Sequence, residues 1–349
     1  MKRIVIKIGT NTLTKKDGSI DKKYVDSISK ELSGLRKKGK EIIIVTSGAI
    51  GSGCYELGIK TKVRDIKLKQ ACAAIGQNRV IQTYHNSFRK YKQLVAQVLI
   101  SYKEFSDRRH YLNLRRSMEE LLKLGVIPII NENDIISTDE IGANFGDNDK
   151  LSALVASKMD AQLLIMMSDI DALYDKDPKK SKGAKKIDVV REIDKEITRM
   201  AGKRGSGFSV GGMKTKIEAA KITMESGCDM VICNGRVKNV ITKVVCGEKI
   251  GTLFLSKKNL SNKGRWILYS RPKGRIAINE RAKDVLSKGR SSLLAVGIEE
   301  VSGTFDKGDV VQIGEVAKCI TDYSSEDLKK IKGSRGKVAA KCENIITKR

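Results

Sequence analysis

Histidine is almost missing from this chain: His85 and His110 are the only two in 349 residues. They stand too far apart to suggest a metal site, and no Ser-His-Asp set can be assembled around them. The seven cysteines (Cys54, Cys72, Cys228, Cys233, Cys246, Cys319 and Cys342) contain no C-x-x-C pair. Their odd number and mostly apolar surroundings predict reduced, buried thiols rather than a disulfide framework or a thiolate nucleophile. No apolar run approaches the roughly 18–20 residues needed to span a bilayer, so no membrane segment is expected. Met1-Lys2-Arg3-Ile4 leads straight into strand pattern, without the architecture of a signal peptide. A cytoplasmic location follows as an expectation.

Negative charge is also scarce, with 41 acidic residues against 68 basic ones and a formal net charge of +27. Such a balance raises the question of nucleic acid. Residues 1–272 carry +22 and residues 273–349 carry +5, so the excess follows length and forms no dense stripe. Lysine supplies 48 of the 68 basic residues, and the densest cluster, Lys179 to Lys186, reads as a solvated loop. Nucleic-acid binding is therefore expected to be weak or absent. With 40% hydrophobic and 31% charged residues the chain belongs among soluble globular proteins, and its length suggests two domains.

Strand-like runs at Ile4–Ile8, Glu41–Thr46, Leu94–Ile100, Val126–Ile130, Gln162–Met167 and Asp229–Cys233 alternate with helical patterns. The clearest of these are Lys22–Lys37, Arg108–Leu124, Leu151–Lys158 and Lys214–Ser226. Ile42-Ile43-Ile44-Val45 is apolar without alternation, as in a parallel strand covered on both faces. The pattern predicts a three-layer α/β/α sandwich around a mostly parallel sheet. Beyond Arg271-Pro272 the texture changes to short strands between Gly turns (274–278, 293–296, 303–305, 308–314), predicting a compact β-rich module. The expected domains are 1–265 and 273–349.

The most informative stretch joins a buried strand to Asn131-Glu132-Asn133-Asp134, and then, after a gap, to Asp147-Asn148-Asp149 before a helix. Ligands of open α/β sheets bind beyond the carboxyl ends of strands. Carboxylates and amides placed there suit a small molecule bearing an ammonium group and a carboxylate. Lys7 lies inside an apolar strand, where an unpaired ammonium is costly, and Gly9 lets backbone approach a phosphate. Ser47-Gly48-Ala49 leads from the second strand into a helix, with free N–H groups that suit an anion. Gly205 to Lys216 nearly imitates a P-loop, but Met213 stands where the lysine belongs. It reads instead as a Gly-rich loop delivering Lys214 and Lys216 to phosphates. Ser168-Asp169, at another strand end, could grip a nucleotide.

The segments K-I-G-T-N, V-T-S-G-A-I-G-S-G, I-N-E-N-D, F-G-D-N-D, S-D-I-D-A-L-Y-D-K-D-P and G-G-M-K-T-K occur in the order seen in the glutamate-phosphorylating branch of the amino acid kinase family, which this chain resembles over essentially its whole length. Its tail resembles a PUA domain, a small β-barrel-like module. The resemblance implies the amino acid kinase fold and ATP-dependent phosphorylation of the γ-carboxylate of L-glutamate, the first step of proline synthesis. It implies that ATP, with Mg2+, meets Lys7, Ser168, Asp169 and the loop Val210, Gly211, Gly212, Met213, Lys214, Thr215 and Lys216. Glutamate would meet Ser47, Asp134 and Asn148. Lys7 and Lys216 would be catalytic, with Asp149 orienting them, and no dedicated metal site is expected. Proline is implied as a feedback inhibitor, and a homo-oligomer is expected.

The chain departs from the usual pattern at four places. Ser168 replaces Thr and Ala172 replaces Gly; Ser209-Val210 replaces Gly-Thr; and Asn279-Glu280-Arg281-Ala282 replaces Asp-x-Gly-Ala. The nearest rival is a related kinase acting on another carboxylate, a carbamate or UMP. A second rival is an RNA-binding protein built around the tail, which the few aromatics there (Phe305, Tyr323) disfavour.

Overall fold

Parallel strands need long crossovers and both faces covered, and the apolar runs of this chain supply the buried strands that such a sheet requires. A computed structural model describes residues 2–61, 63–101, 104–105, 107–136, 148–176, 178, 181, 183–201, 212–256, 261–289 and 291–347. The chain divides into two units: Met1–Glu104 with Arg109–Asn259, and Phe105–Arg108 with Leu260–Arg349. In the first unit the strands are β1 (Arg3–Ile8), β2 (Glu41–Val45), β3 (Val95–Ile100), β4 (Ile127–Glu132), β5 (Leu163–Ser168), β6 (Leu173–Tyr174), β7 (Lys186–Ile187), β8 (Val189–Val190), β9 (Asp229–Asn234) and β10 (Thr252–Phe254). Eight of them form one sheet in the order β3-β4-β2-β1-β5-β9-β10-β8, in which only β9 and β10 pair antiparallel. β6 and β7 make a separate small pair.

Alternation along β1 decides which face does what. Ile4, Ile6 and Ile8 enter a core cluster with Ile42 and Ile44 of β2, with Val25, Ile28 and Leu32 of the helix Lys22–Lys37, and with Val80, Tyr84 and Phe88 of the helix Ile66–Arg89. Lys7 has the opposite parity and faces the helix Asn148–Lys158, on the other side of the sheet. That helix packs in turn on the helix Met213–Glu225, where the Ser226 and Ser157 hydroxyls are bonded at 2.7 Å.

The differences from the sequence reading have local causes. β4 runs two residues past the expected end at Ile130, because Asn131 and Glu132 pair with Leu99 and Ile100 of β3. The helix Asn148–Lys158 starts three residues before the expected Leu151, so Asn148 and Asp149 lie in its first turn. The 24-residue helix Ile66–Arg89 had no clear apolar stripe to reveal it. Its contact with the helix Ala49–Glu56 is backbone on backbone: a Cβ on Gly76 would stand 1.9 Å from the Ala49 carbonyl oxygen, and one on Gly53 1.8 Å from that of Cys72.

In the second unit β11 (Gly274–Ile278), β13 (Ile298–Gly303), β14 (Val310–Ile313), β15 (Ala317–Ile320) and β17 (Ile345–Thr347) form a sheet ordered β13-β11-β14-β15-β17, beside a pair of β12 (Leu293–Leu294) and β16 (Val338–Ala340). The strand expected through Val296 stops at Leu294 and becomes a 3-10 turn, Ala295–Gly297. Asn279, one of the departures from the usual pattern, caps the helix Glu280–Ser287 by accepting from the Ala282 N–H at 2.9 Å, so the turn keeps a polar cap. The helix Asn262–Tyr269 belongs to this unit, ahead of the boundary at 265 read from sequence: it packs on β15 and β17, and Lys318 Nζ donates to the carbonyls of Leu268 and Ser270, both at 2.8 Å. None of the seven cysteines forms a disulfide, but Cys246 and Cys342 are exposed, which the expectation of buried thiols missed. Among the described residues no helix is long and apolar enough to cross a membrane.

The glycine contact generates a paired prediction. Gly76→Ala should lower unfolding stability by at least the ~1–3 kcal/mol typical of overpacking, since backbone must move to admit a methyl group. Gly34→Ala, in the helix Lys22–Lys37 with nothing within 4 Å of the added carbon, should instead stabilise by roughly 1 kcal/mol through helix propensity. Urea titrations of both variants check the opposite signs.

Candidate active site

β1, β2, β4 and β5 run parallel, so their carboxyl ends open on one edge of the sheet. Each delivers polar groups there: Lys7 and Gly9 from β1, Thr46 and Ser47 from β2, Asn131 to Asp134 from β4, and Ser168 and Asp169 from β5. The first turns of the helices Asn148–Lys158 and Met213–Glu225 meet them from one face.

Asp149 is fully buried and holds two ammonium groups, Lys7 Nζ at 2.6 Å and Lys216 Nζ at 3.0 Å. Thr215 Oγ1 donates to the same carboxylate at 2.9 Å. Burial by itself would raise the pKa of Asp149, but the two lysines outweigh it and hold the carboxyl well below the ordinary range. The reciprocal effect is positional. Two like charges that would separate in water are kept close by one carboxylate, in a place shielded from solvent screening. A Cβ on Gly9 would lie 3.3 Å from Lys7 Nζ, so glycine leaves the space above that ammonium open.

A second cluster joins the ends of β2 and β4 to two helices. Asn148 Nδ2 contacts the Thr46 carbonyl, Ser47 Oγ at 3.0 Å and Asn131 Oδ1 at 2.8 Å. Asn131 Nδ2 donates to Gln77 Oε1 at 2.7 Å. Thr46 Oγ1 lies 3.1 Å from the buried Tyr84 hydroxyl. Gly48, with φ +91°, makes the sharp turn into the helix Ala49–Glu56, a conformation that glycine adopts without a Cβ penalty. Asp134 lines a cavity of about 240 Å³ together with Gln77, Asn78, Gln97 and Asn133. Burial, and secondly the neighbouring Glu132 carboxylate, push its carboxyl up to about 6.

A third group lies beyond β5. Asp169 accepts from Asn11 Nδ2 and from Ser168 Oγ, both at 3.0 Å. Burial acts against ionisation there, but these donors and the more distant Lys216 lower its pKa.

Of the residues singled out from sequence, Lys7, Asp149, Thr215 and Lys216 thus converge, Ser47 meets Asn148, and Ser168 meets Asp169. Gly212 is the N-cap of the helix Met213–Glu225, and Met213 is half-buried in its first turn. Lys214 is exposed while Lys216 is buried, because residues two apart on a helix do not share a face. Val210 and Gly211 lie outside the described residues, as do Asp147 and Ser209. Sequence reasoning gave no role to Asn11 and no individual role to Asn131, although it marked the polar stretch that Asn131 opens, and it missed Gln77, which lies on the helix that went unseen.

Residues 2–234 match the model of the amino acid kinase family, and residues 274–346 match that of the PUA domain. The chain is 50% identical over 344 residues to a protein named glutamate 5-kinase from Methanosarcina barkeri (strain Fusaro / DSM 804), covering 95% of this chain and 90% of that one. Its identity to the glutamate 5-kinase of Thermoanaerobacter pseudethanolicus is 44%, over 95% and 91% of the two chains. Among solved structures, UMP kinase from Bacillus anthracis superposes with a TM-score of 0.52 at 19% identity, covering 74% of this chain and 98% of that one. Isopentenyl phosphate kinase from T. acidophilum gives 0.51 at 17%, over 72% and 100%. At these identities the two structures speak for the fold alone.

Removing the central carboxylate should be felt first as stability. Asp149→Asn leaves two buried ammonium groups without their counter-charge and should cost about 3–5 kcal/mol at pH 7. Because the folded carboxyl ionises below its unfolded value, its contribution is complete above about pH 4 and fades as pH falls further. The gap between wild type and variant in urea denaturation should therefore be constant from pH 5 to 8 and narrow in acid.

Proposed function

This chain belongs to the amino acid kinase family, and on that footing we propose that it transfers the γ-phosphoryl group of ATP to the γ-carboxylate of L-glutamate, giving L-glutamyl 5-phosphate. The convergence of Lys7 and Lys216 on the buried Asp149 supports the reading most directly, together with a cavity lined by Asp134. The names of relatives at up to 50% identity over most of the chain support glutamate as acceptor, ahead of a carbamate or UMP.

The chemistry asks little of a base. A side-chain carboxyl like that of glutamate has a pKa of ~4.3 and is already ionised at neutral pH. One of its oxygens attacks the γ-phosphorus, the bond from that phosphorus to the β–γ bridging oxygen breaks, and ADP leaves with the electron pair. Catalysis of such a transfer is positioning and charge stabilisation. Lys7 and Lys216 face the phosphoryl oxygens, held at fixed separation by Asp149, and Asp169 and Ser168 flank the nucleotide side. Ser47, positioned by Asn148, holds the acceptor carboxylate, and Asp134 pairs with the substrate ammonium. Magnesium enters with ATP as part of the substrate, since Mg2+ is commonly held by phosphates, water and one or two carboxylates.

The same reading carries proline as a feedback inhibitor, because it shares the α-carboxylate and a cationic nitrogen that Asp134 can hold. It also carries a homo-oligomeric, cytoplasmic enzyme of proline synthesis. The PUA tail, with net +5 over residues 273–349, is a poor electrostatic footprint and would bind RNA weakly and in a salt-sensitive way.

Trapping the acyl phosphate with hydroxylamine tests the reaction. Product should form with L-glutamate and not with aspartate, and failure with glutamate would reject the proposal. In the same assay Lys216→Ala should lower kcat about 10²–10³-fold, as loss of one preorganised donor typically does, with a much smaller change in the glutamate KM.

Asp134 adds a pH dependence. Its carboxyl must be ionised to hold an ammonium, and burial together with Glu132 pushes it up to about 6. kcat/KM for glutamate should thus fall as pH drops below 6, while kcat/KM for ATP at saturating glutamate should not. A glutamate profile flat to pH 5 would remove Asp134 from this role.

A further inference from the structure

The polarity of the buried amide chain is fixed by one atom that can only accept. Asn148 Nδ2 contacts the Thr46 carbonyl oxygen, so that end of Asn148 must be its NH2 group. The same NH2 group faces Asn131 at 2.8 Å, which requires the Asn131 oxygen there and turns the Asn131 NH2 toward Gln77. At 2.7 Å Gln77 then presents its oxygen to Asn131, and its own NH2 group is the end left for the cavity that it lines with Asp134. Gln77 is nearly buried, and it follows Gly76, whose backbone contact with Ala49 fixes this turn of the helix.

We propose that Gln77 is a specificity-determining residue, its Nε2 donating to the α-carboxylate of the substrate whose ammonium pairs with Asp134. This rests on the reading of the site as one for glutamate. A cavity of about 240 Å³ suits the head of an amino acid, and the two groups complement its two charges. Asp134 alone would accept any amine of suitable length. An amide donor beside it makes the α-carboxylate part of what is recognised, and an acid in its place would repel that group. The geometry thus separates glutamate from 4-aminobutyrate, which has the ammonium and the acceptor carboxylate but no α-carboxylate.

Gln77→Glu is the informative change, because Glu keeps an oxygen for Asn131, removes the donor and sets a negative charge against the α-carboxylate. Hydrogen bonds to charged groups are typically worth a ~10–100-fold factor in binding, so the glutamate KM should rise by about that much. The ATP KM should stay near wild type. Inhibition of glutamate phosphorylation by 4-aminobutyrate should be at least as strong in Gln77→Glu as in wild type. Gln77→Met, which adds no charge, should also raise the glutamate KM. A glutamate KM within threefold of wild type in Gln77→Glu would overturn the assignment, as would parallel weakening for glutamate, 4-aminobutyrate and ATP, the mark of a structural role. Wild type inactive on glutamate in the hydroxylamine assay would instead strike the underlying reading of the site.

Discussion

One buried carboxylate holds this site together. Asp149 joins β1, through Lys7, to the helix Met213–Glu225, through Thr215 and Lys216, while itself starting the helix Asn148–Lys158. Three segments distant in sequence are thereby fixed at one point. A buried ion pair is a poor source of net stability, since desolvation opposes the Coulombic gain, but it is a strong determinant of position once the fold has formed. Here the position is what matters: both ammonium groups are held on one carboxylate, as the proposed phosphoryl transfer requires.

The cluster of Asn148, Asn131 and Gln77 is built by a different device. No charge crosses from Gln77 through Asn131 to Asn148; the order comes from amides, each of which must present either its donor or its acceptor end. Such a chain has one consistent orientation once a backbone carbonyl sets it. It depends on the close crossing of the helices Ala49–Glu56 and Ile66–Arg89, because a wider spacing would draw Gln77 away from β4. Packing by glycine and chemistry by amides are therefore linked through adjacent residues, Gly76 and Gln77.

The sequence carried the sheet well, for a physical reason. Buried parallel strands such as Ile42–Val45 and Leu163–Met167 cannot be anything but apolar and short, and polar residues immediately after them mark the ligand edge. Lys7 in an apolar strand pointed to an anionic partner, and Asp149 is that partner within the chain. What stayed hidden depends on contacts between distant elements. The helix Ile66–Arg89 mixes glycine, glutamine and alanine without a clean stripe, since one part of it lies against another backbone. Gln77 could not be found without it. The exposure of Lys214 beside the buried Lys216 follows from their spacing of two on one helix, which places them on different faces. The shift from Asp to Asn at position 279 changed the local sequence but kept the cap.

The central claim is that Lys7 and Lys216 act as one unit through Asp149. A double-mutant cycle on kcat with Lys7→Ala, Lys216→Ala and the double variant measures this directly. Groups that act together are strongly non-additive, so the double variant should lose little more activity than the worse single variant. Losses that simply multiply would show two independent lysines and contradict the account.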